Sequence, residues 1–265
     1  MRVSKTIFIE LLIVAVSLFM SESLLADTVY LLGKIGDFSI GASLERNEEE
    51  LAGWYFYHSR AKEIRLEGRI DLNGTFRMDE MTEGRKTGIF EGSVKQGRWT
   101  GIWRKTIAGA PLPFYLEENR NQLKNLRADY TCTVKERVAE HHYTYRWKLK
   151  LSVADGVVKE LDSTQGAYGD DKDEQTCTIA LSDLKQIASE SGILLQAKDD
   201  NSGEEDKKCT VRIVGDTDIL WIRFGDSSEE GNDCRSAGSN MFCSPRAFWN
   251  DIIVDRRTQK CRALK

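Results

Sequence analysis

The sequence is poorest in the groups that carry out covalent and metal chemistry. Only three of its 265 residues are histidine, His58, His141 and His142. No H-E-x-x-H, G-x-S-x-G or Cys–His nucleophile arrangement occurs. His141 and His142 are adjacent, and neighbours on a strand point to opposite faces, so they do not converge on one metal. All three histidines read as structural or solvent-facing. Cysteine is missing from the first 131 residues, and the closest pair, Cys234 and Cys243, has eight residues between its members. That spacing excludes the tight C-x-x-C pairs of a zinc site. Basic charge is not in excess either: 38 Lys and Arg stand against 42 Asp and Glu, a formal charge of −4. Nucleic-acid binding draws on concentrated Lys and Arg, so that partner is not expected. No apolar run approaches the ~20 residues that span a bilayer. These absences predict a chain without metal or cofactor and without a recognisable catalytic centre.

What the sequence does have begins at its N-terminus. Arg2 and Lys5 precede an apolar run of fourteen residues from Ile7 to Met20, interrupted by Glu10, and small residues lead to Ala26. This is the layout of a secretory signal peptide over residues 1–26, with cleavage expected before Asp27. It predicts a periplasmic or secreted protein of a bacterial envelope with no stable membrane span after removal. The segment carries two basic residues (Arg2, Lys5) and two acidic ones (Glu10, Glu22), so the charge of −4 is unchanged by its loss. Six cysteines follow: Cys132, Cys177, Cys209, Cys234, Cys243 and Cys261. An even number in an exported chain predicts three disulfides, with fifteen pairings open.

Between Gly84 and Trp103 the phrase G-R-x-T-G-I followed by an aromatic occurs twice. A turn at Gln96-Gly97 would place Val94 opposite Trp99, Gly92 opposite Gly101 and Phe90 opposite Trp103. A three-residue loop at Leu72-Asn73-Gly74 would set Ile70 against Phe76 and Gly68 against Met78. The same loop form at Thr82-Glu83-Gly84 would set Phe76 against Phe90 and Met78 against Gly88. With these registers Ile64, Leu66, Ile70, Phe76, Met78, Phe90, Val94, Trp99 and Trp103 share one face, and Arg65, Glu67, Arg69, Arg77, Asp79, Thr87 and Glu91 share the other. So clean a division predicts antiparallel strands with one buried face. Gly68, Gly88, Gly92 and Gly101 fall on the apolar face, where a missing side chain lets a ring lie across the backbone. The segment "FEGSVKQGRWTGIW", with "LEGRIDLNGTF" as a looser copy, resembles the MORN repeat, a short β-hairpin unit. The resemblance implies hairpin geometry and not a function.

Strand-like pieces on either side, among them "GWYFYHS" and "LPFYLEE", extend this unit to a barrel or sandwich over residues 27–118. The polar "ENRNQLKNLRA" supplies a linker over 119–128, readable as a short helix. Residues 129–265 form a second, disulfide-stapled β domain. Within it Tyr143, Tyr145, Trp147, Leu149 and Leu151 alternate with polar residues, and Asp155-Gly156 marks a hairpin turn. "LSDLKQIASES" has the spacing of an amphipathic helix, with Ser182 as its cap and Leu181, Leu184, Ile187 and Ala188 on one side. The fold class expected is therefore all-β, mainly antiparallel, with one short helix. The acidic stretches "GDDKDEQ" and "AKDDNSGEEDKK" read as solvated loops. In the second, counting from Asp199, Gly203 falls where an EF-hand needs a ligand.

The candidate recognition element is "DCRSAGSNMFCSPRAFW", whose small polar loop is pinned by cysteines at both ends. In cysteine framing and polarity it resembles the C-terminal part of periplasmic proteins of the bacterial lysozyme-inhibitor type. That resemblance implies a Ser/Gly loop and a basic residue entering a carboxylate-lined enzyme cleft. Here Ser236, Gly238, Ser239, Asn240 and Arg246 would play those parts. The function expected is a non-catalytic envelope protein that binds another protein, with a lysozyme-like hydrolase as one candidate. The alternatives are an envelope polysaccharide hydrolase using carboxylates that the sequence does not single out, and a purely structural envelope protein.

Overall fold

The computed structural model describes residues 27–105, 109–119, 123, 127–138, 143–168, 175–189, 191–197, 210–225 and 251–264. The expected signal segment, most of the expected linker, the acidic stretches 169–174 and 198–208, and the loop from Cys234 to Cys243 lie outside these residues.

Eight strands run up and down in chain order: β1(Asp27–Ile35), β2(Phe38–Asn47), β3(Glu50–Tyr57), β4(Glu63–Ile70), β5(Thr75–Thr82), β6(Arg85–Lys95), β7(Arg98–Arg104) and β8(Leu112–Glu118). Each pairs antiparallel with the next, and β8 pairs back onto β1, closing a barrel. Closure follows from the alternation, because a sheet with one continuous apolar face removes that face and both edges from water by curling on itself. All nine residues assigned to the apolar face belong to the barrel's inner cluster. Leu66, Ile70, Phe76, Met78, Phe90 and Trp99 are buried there, and Ile64, Val94 and Trp103 pack against them. The ring of Phe90 meets Tyr55 at 5.3 Å and Phe114 at 5.1 Å, both edge-on.

The Gln96-Gly97 turn pairs Phe90 with Trp103 and Val94 with Trp99 as read from the sequence, and Ile70 pairs with Phe76. At the Thr82–Gly84 turn the register differs. Phe76 pairs with Gly92 and Met78 with Phe90. The connection is a two-residue turn with Glu83 and Gly84 both at positive φ (51° and 72°), and the ladder shifts between Glu80 and Met81. The tighter turn and the bulge together slide β6 by two residues relative to the three-residue loop, which leaves every side chain on the same face except near the bulge.

The rest of the described chain forms two sheets. One has the order β12-β11-β10-β9, from β9(Arg127–Val138), β10(Tyr143–Ala154), β11(Val157–Tyr168) and β12(Gln175–Ala180). The other runs β13 to β18 in order: β13(Leu184–Ile187), β14(Ile193–Ala197), β15(Thr210–Gly215), β16(Ile219–Phe224), β17(Ile252–Asp255) and β18(Cys261–Ala263). The architecture is all-β and antiparallel. The helix expected at Leu181–Ser191 is not formed. Leu181–Asp183 make one 3₁₀ turn, and Leu184–Ile187 continue as an edge strand paired with β14. Gln186 fixes that strand to the β10–β11 hairpin by accepting from Val158 N–H at 3.2 Å and donating to Gly156 O at 2.9 Å. Pairing and burial override the helical spacing of four apolar residues.

β16 is buried at all six positions. Its even-numbered residues Leu220, Ile222 and Phe224 pack with Trp147, Leu149 and Leu151 of the four-stranded sheet. Its odd-numbered residues Ile219 and Trp221 join Tyr30, Leu32 and Phe56 from the outer face of the barrel. The six-stranded sheet is thus the middle layer between barrel wall and four-stranded sheet. Cys132 of β9 and Cys261 of β18 form a disulfide between the two facing sheets. Cys209, Cys234 and Cys243 lie outside the described residues, as does the side chain of Cys177. At the end of β8 the fully buried Asn119 imitates a paired strand: its Nδ2 donates to Gly215 O at 2.6 Å and its Oδ1 accepts from Gly215 N–H at 3.3 Å.

Candidate functional site at the open end of the barrel

At the barrel end bounded by the β1–β2, β3–β4 and β5–β6 connections, the described residues enclose a cavity of about 770 Å³. Its walls are largely apolar, with Tyr55, Tyr57 and Trp103 as rings and Ile64, Met81 and Leu112 as aliphatic surface. Phe38, 58% exposed, stands at the mouth with its ring edge-on to Tyr57 at 6.1 Å. Arg60, Lys62, Arg65 and Lys105 also line it, together with Glu63 and Glu83, which are exposed.

The cavity's one buried acid is Glu80. It occupies an inward position of β5, two residues beyond Met78, and is only 7% exposed. Three neutral donors hold its carboxylate. Tyr55 donates its hydroxyl to Oε2 at 2.6 Å, the Trp103 indole donates to the same oxygen at 2.9 Å, and the Thr87 hydroxyl donates to Oε1 at 2.6 Å. Thr87 belongs by strict alternation to the polar outer face, where the sequence places it. The shift between Glu80 and Met81 turns it toward the carboxylate instead. Gly88, paired with Glu80, leaves the space in which indole and carboxylate meet. A Cβ there would lie 2.8 Å from Trp103 Nε1 and 2.9 Å from Glu80 Oε2.

Burial and the neighbouring Glu80 charge push the Tyr55 phenol far above its ordinary value, so the hydroxyl keeps its proton and acts as a donor. Burial raises Tyr57 as well. The two tyrosine rings meet edge-on at 5.4 Å and fix each other's orientation. The arrangement is a rigid aromatic pocket whose floor is a pre-oriented hydrogen-bond acceptor.

Ser236, Gly238, Ser239, Asn240 and Arg246, the recognition residues named from the sequence, lie outside the described residues, as do His141 and His142. His58 stands between the barrel and the six-stranded sheet with Nε2 4.0 Å from Asp255 Oδ2. Burial lowers its pKa, the behaviour of a histidine held neutral in a packed seam. Among the described residues no group of three His, Cys, Asp or Glu could hold a metal ion, and no helix is long and apolar enough to cross a membrane. Glu80 escapes the sequence reading, although one signal was present: an acid at an inward position of an otherwise apolar stripe; the glycine it faces, Gly88, stands opposite Met78 in the register expected from the sequence. No protein-family model, curated protein or solved structure matches the chain.

Proposed function

We propose that the protein is an exported, non-catalytic binding protein that holds a small, largely apolar ligand in the open end of its barrel. The observation that carries this reading is the aromatic-walled cavity of about 770 Å³ over a single buried, hydrogen-bonded carboxylate. Small-molecule sites have this volume, this apolar lining and a few convergent polar groups. Two features weigh against the hydrolase alternative. Glycoside hydrolysis uses two carboxylates facing one bond, whereas Glu83 is exposed and Glu63, although burial pushes its carboxyl up, is influenced by Asp251 and Arg223 beside the six-stranded sheet and not by Glu80. Three donors also occupy Glu80, which suits a fixed acceptor better than a group that must exchange a proton. The Cys132–Cys261 disulfide supports an oxidising compartment. Recognition of a lysozyme-like hydrolase through Ser239 and Arg246 would use a different part of the chain and draws no support from the barrel.

Titration with the neutral apolar dye Nile red tests the reading. The mature protein is expected to bind one dye saturably. Leu112→Arg, which places a charge at the partly exposed rim, is expected to weaken binding at least tenfold with little change in melting temperature. Absence of saturable binding by the unaltered protein, or equal binding by the variant, would count against the barrel end as the site.

A further inference from the structure

Resting on the reading of the barrel end as a small-ligand site, we infer that its ligand carries a protonated amine, seated in the aromatic cage and donating a hydrogen bond to Glu80 Oε1. A carboxylate offers about four lone-pair directions, two on each oxygen. Oε2 receives both Tyr55 and Trp103, whereas Oε1 receives Thr87 alone. One acceptor direction is therefore left on Oε1, and Glu80 lines the cavity.

Every donor to Glu80 is neutral, and among the described residues the carboxylate has no ion pair. A buried carboxylate without a cation retains a desolvation cost that a cationic ligand offsets on entry. An anionic head at the same place would meet a like charge.

The rings of Tyr55, Tyr57 and Trp103 bound the cavity around Glu80, and aromatic faces attract cations through their quadrupoles. The half-buried Trp103 points its indole N–H at the carboxylate and turns ring surface to the cavity, while Tyr55, 1% exposed and packed edge-on against Phe90 and Tyr57, backs the carboxylate from behind. Four basic residues also line the cavity, Arg60, Lys62, Arg65 and Lys105; all four are exposed, and Arg65 is paired with Glu67 at 2.7 Å. Water and salt screen exposed charges more than buried ones, so these cations weigh less on a ligand at the floor than the buried carboxylate does. The apolar aliphatic surface of Ile64, Met81 and Leu112 fits the rest of the ligand as a hydrocarbon body.

Calorimetric titration of the mature protein at pH 7 with octylamine, octanol and octanoate isolates the head group, since the chains match. An alkylamine, like the lysine side chain with its pKa of about 10.4, is protonated at that pH. Octylamine is expected to bind at least tenfold more tightly than octanol or octanoate. Glu80→Gln removes the charge while keeping an oxygen to accept from Tyr55 and Trp103. It should weaken octylamine at least tenfold and change octanol less than twofold. Equal binding of octanol or octanoate, or octylamine binding that survives Glu80→Gln, would overturn the amine and leave the small-ligand reading standing. Nile red binding without octylamine binding would do the same. Failure of Nile red and of all three octyl compounds would overturn both.

Discussion

Replacing Trp221 by Ala is expected to destabilise the protein by about 3 to 5 kcal/mol, the range for deleting a fully buried large aromatic. Trp221 has no exposed surface and forms the centre of the layer between barrel and six-stranded sheet. Its ring meets Phe56 at 5.1 Å, Trp54 at 5.2 Å and Tyr30 at 5.8 Å. Its indole also donates to Asp251 Oδ2 at 2.8 Å, and Arg223 Nε approaches the same oxygen at 3.1 Å. Burial pushes the Asp251 carboxyl up, while Arg223 and the indole pull it back. Loss of the indole removes one of those supports and opens a cavity whose walls come from two units that cannot easily collapse together. Denaturant unfolding followed by circular dichroism measures the change. Ile102→Ala, at a partly exposed position on the barrel's outside, serves as the comparison and should change stability by less than about 0.5 kcal/mol. A cost for Trp221→Ala as small as that would mean the packed middle layer is not what holds the two units together.

The second large effect is expected from the disulfide. Cys132 and Cys261 are separated by 129 residues, so their bond restricts the unfolded chain over almost half its length. Removing a native bridge of this kind costs about 2 to 5 kcal/mol. The double variant Cys132→Ser with Cys261→Ser should show that loss in the same denaturation experiment. It should also leave Nile red binding nearly unchanged under native conditions, because the bridge lies between β9 and β18 and the cavity belongs to the barrel. Dye affinity that collapses along with the bridge would tie the cavity to the sandwich in a way the packing does not explain.

Much of the barrel was legible because alternation is a strong constraint when one face is buried. Nine inward residues follow from it, and so does the pairing of Phe90 with Trp103. A shift of two residues preserves that alternation, and so the pattern was blind to the slide at Glu83-Gly84. Gly84 fits equally as the end of a three-residue loop or the second position of a two-residue turn. What decides is Glu83 accepting a positive φ and the bulge beside Glu80, neither of which hydrophobic patterning reports. The apparent helix at Leu181 failed for a related reason. Four apolar residues satisfied a helical template, but the partner strand Ile193–Ala197 and the anchoring of Gln186 are long-range facts. The consecutive apolar residues Ile219–Ile222 do mark a strand buried on both faces. That the second covering layer is the barrel wall follows only from the assembled structure. The site was least legible of all. Tyr55, Glu80, Thr87, Gly88 and Trp103 come from four strands, and only barrel closure together with a local bulge brings them around one carboxylate.

The central claim is that ligand enters the open barrel end and reaches Glu80, and Trp103 reports on it directly because its indole N–H donates to that carboxylate. In a ¹⁵N–¹H titration of the mature protein with octylamine, the Trp103 indole resonance is expected to shift saturably. The Trp221 indole, held by Asp251 in the middle layer, should stay in place. A titration in which Trp221 moves and Trp103 does not, or in which no indole responds while calorimetry records binding, would place the ligand elsewhere and contradict the account.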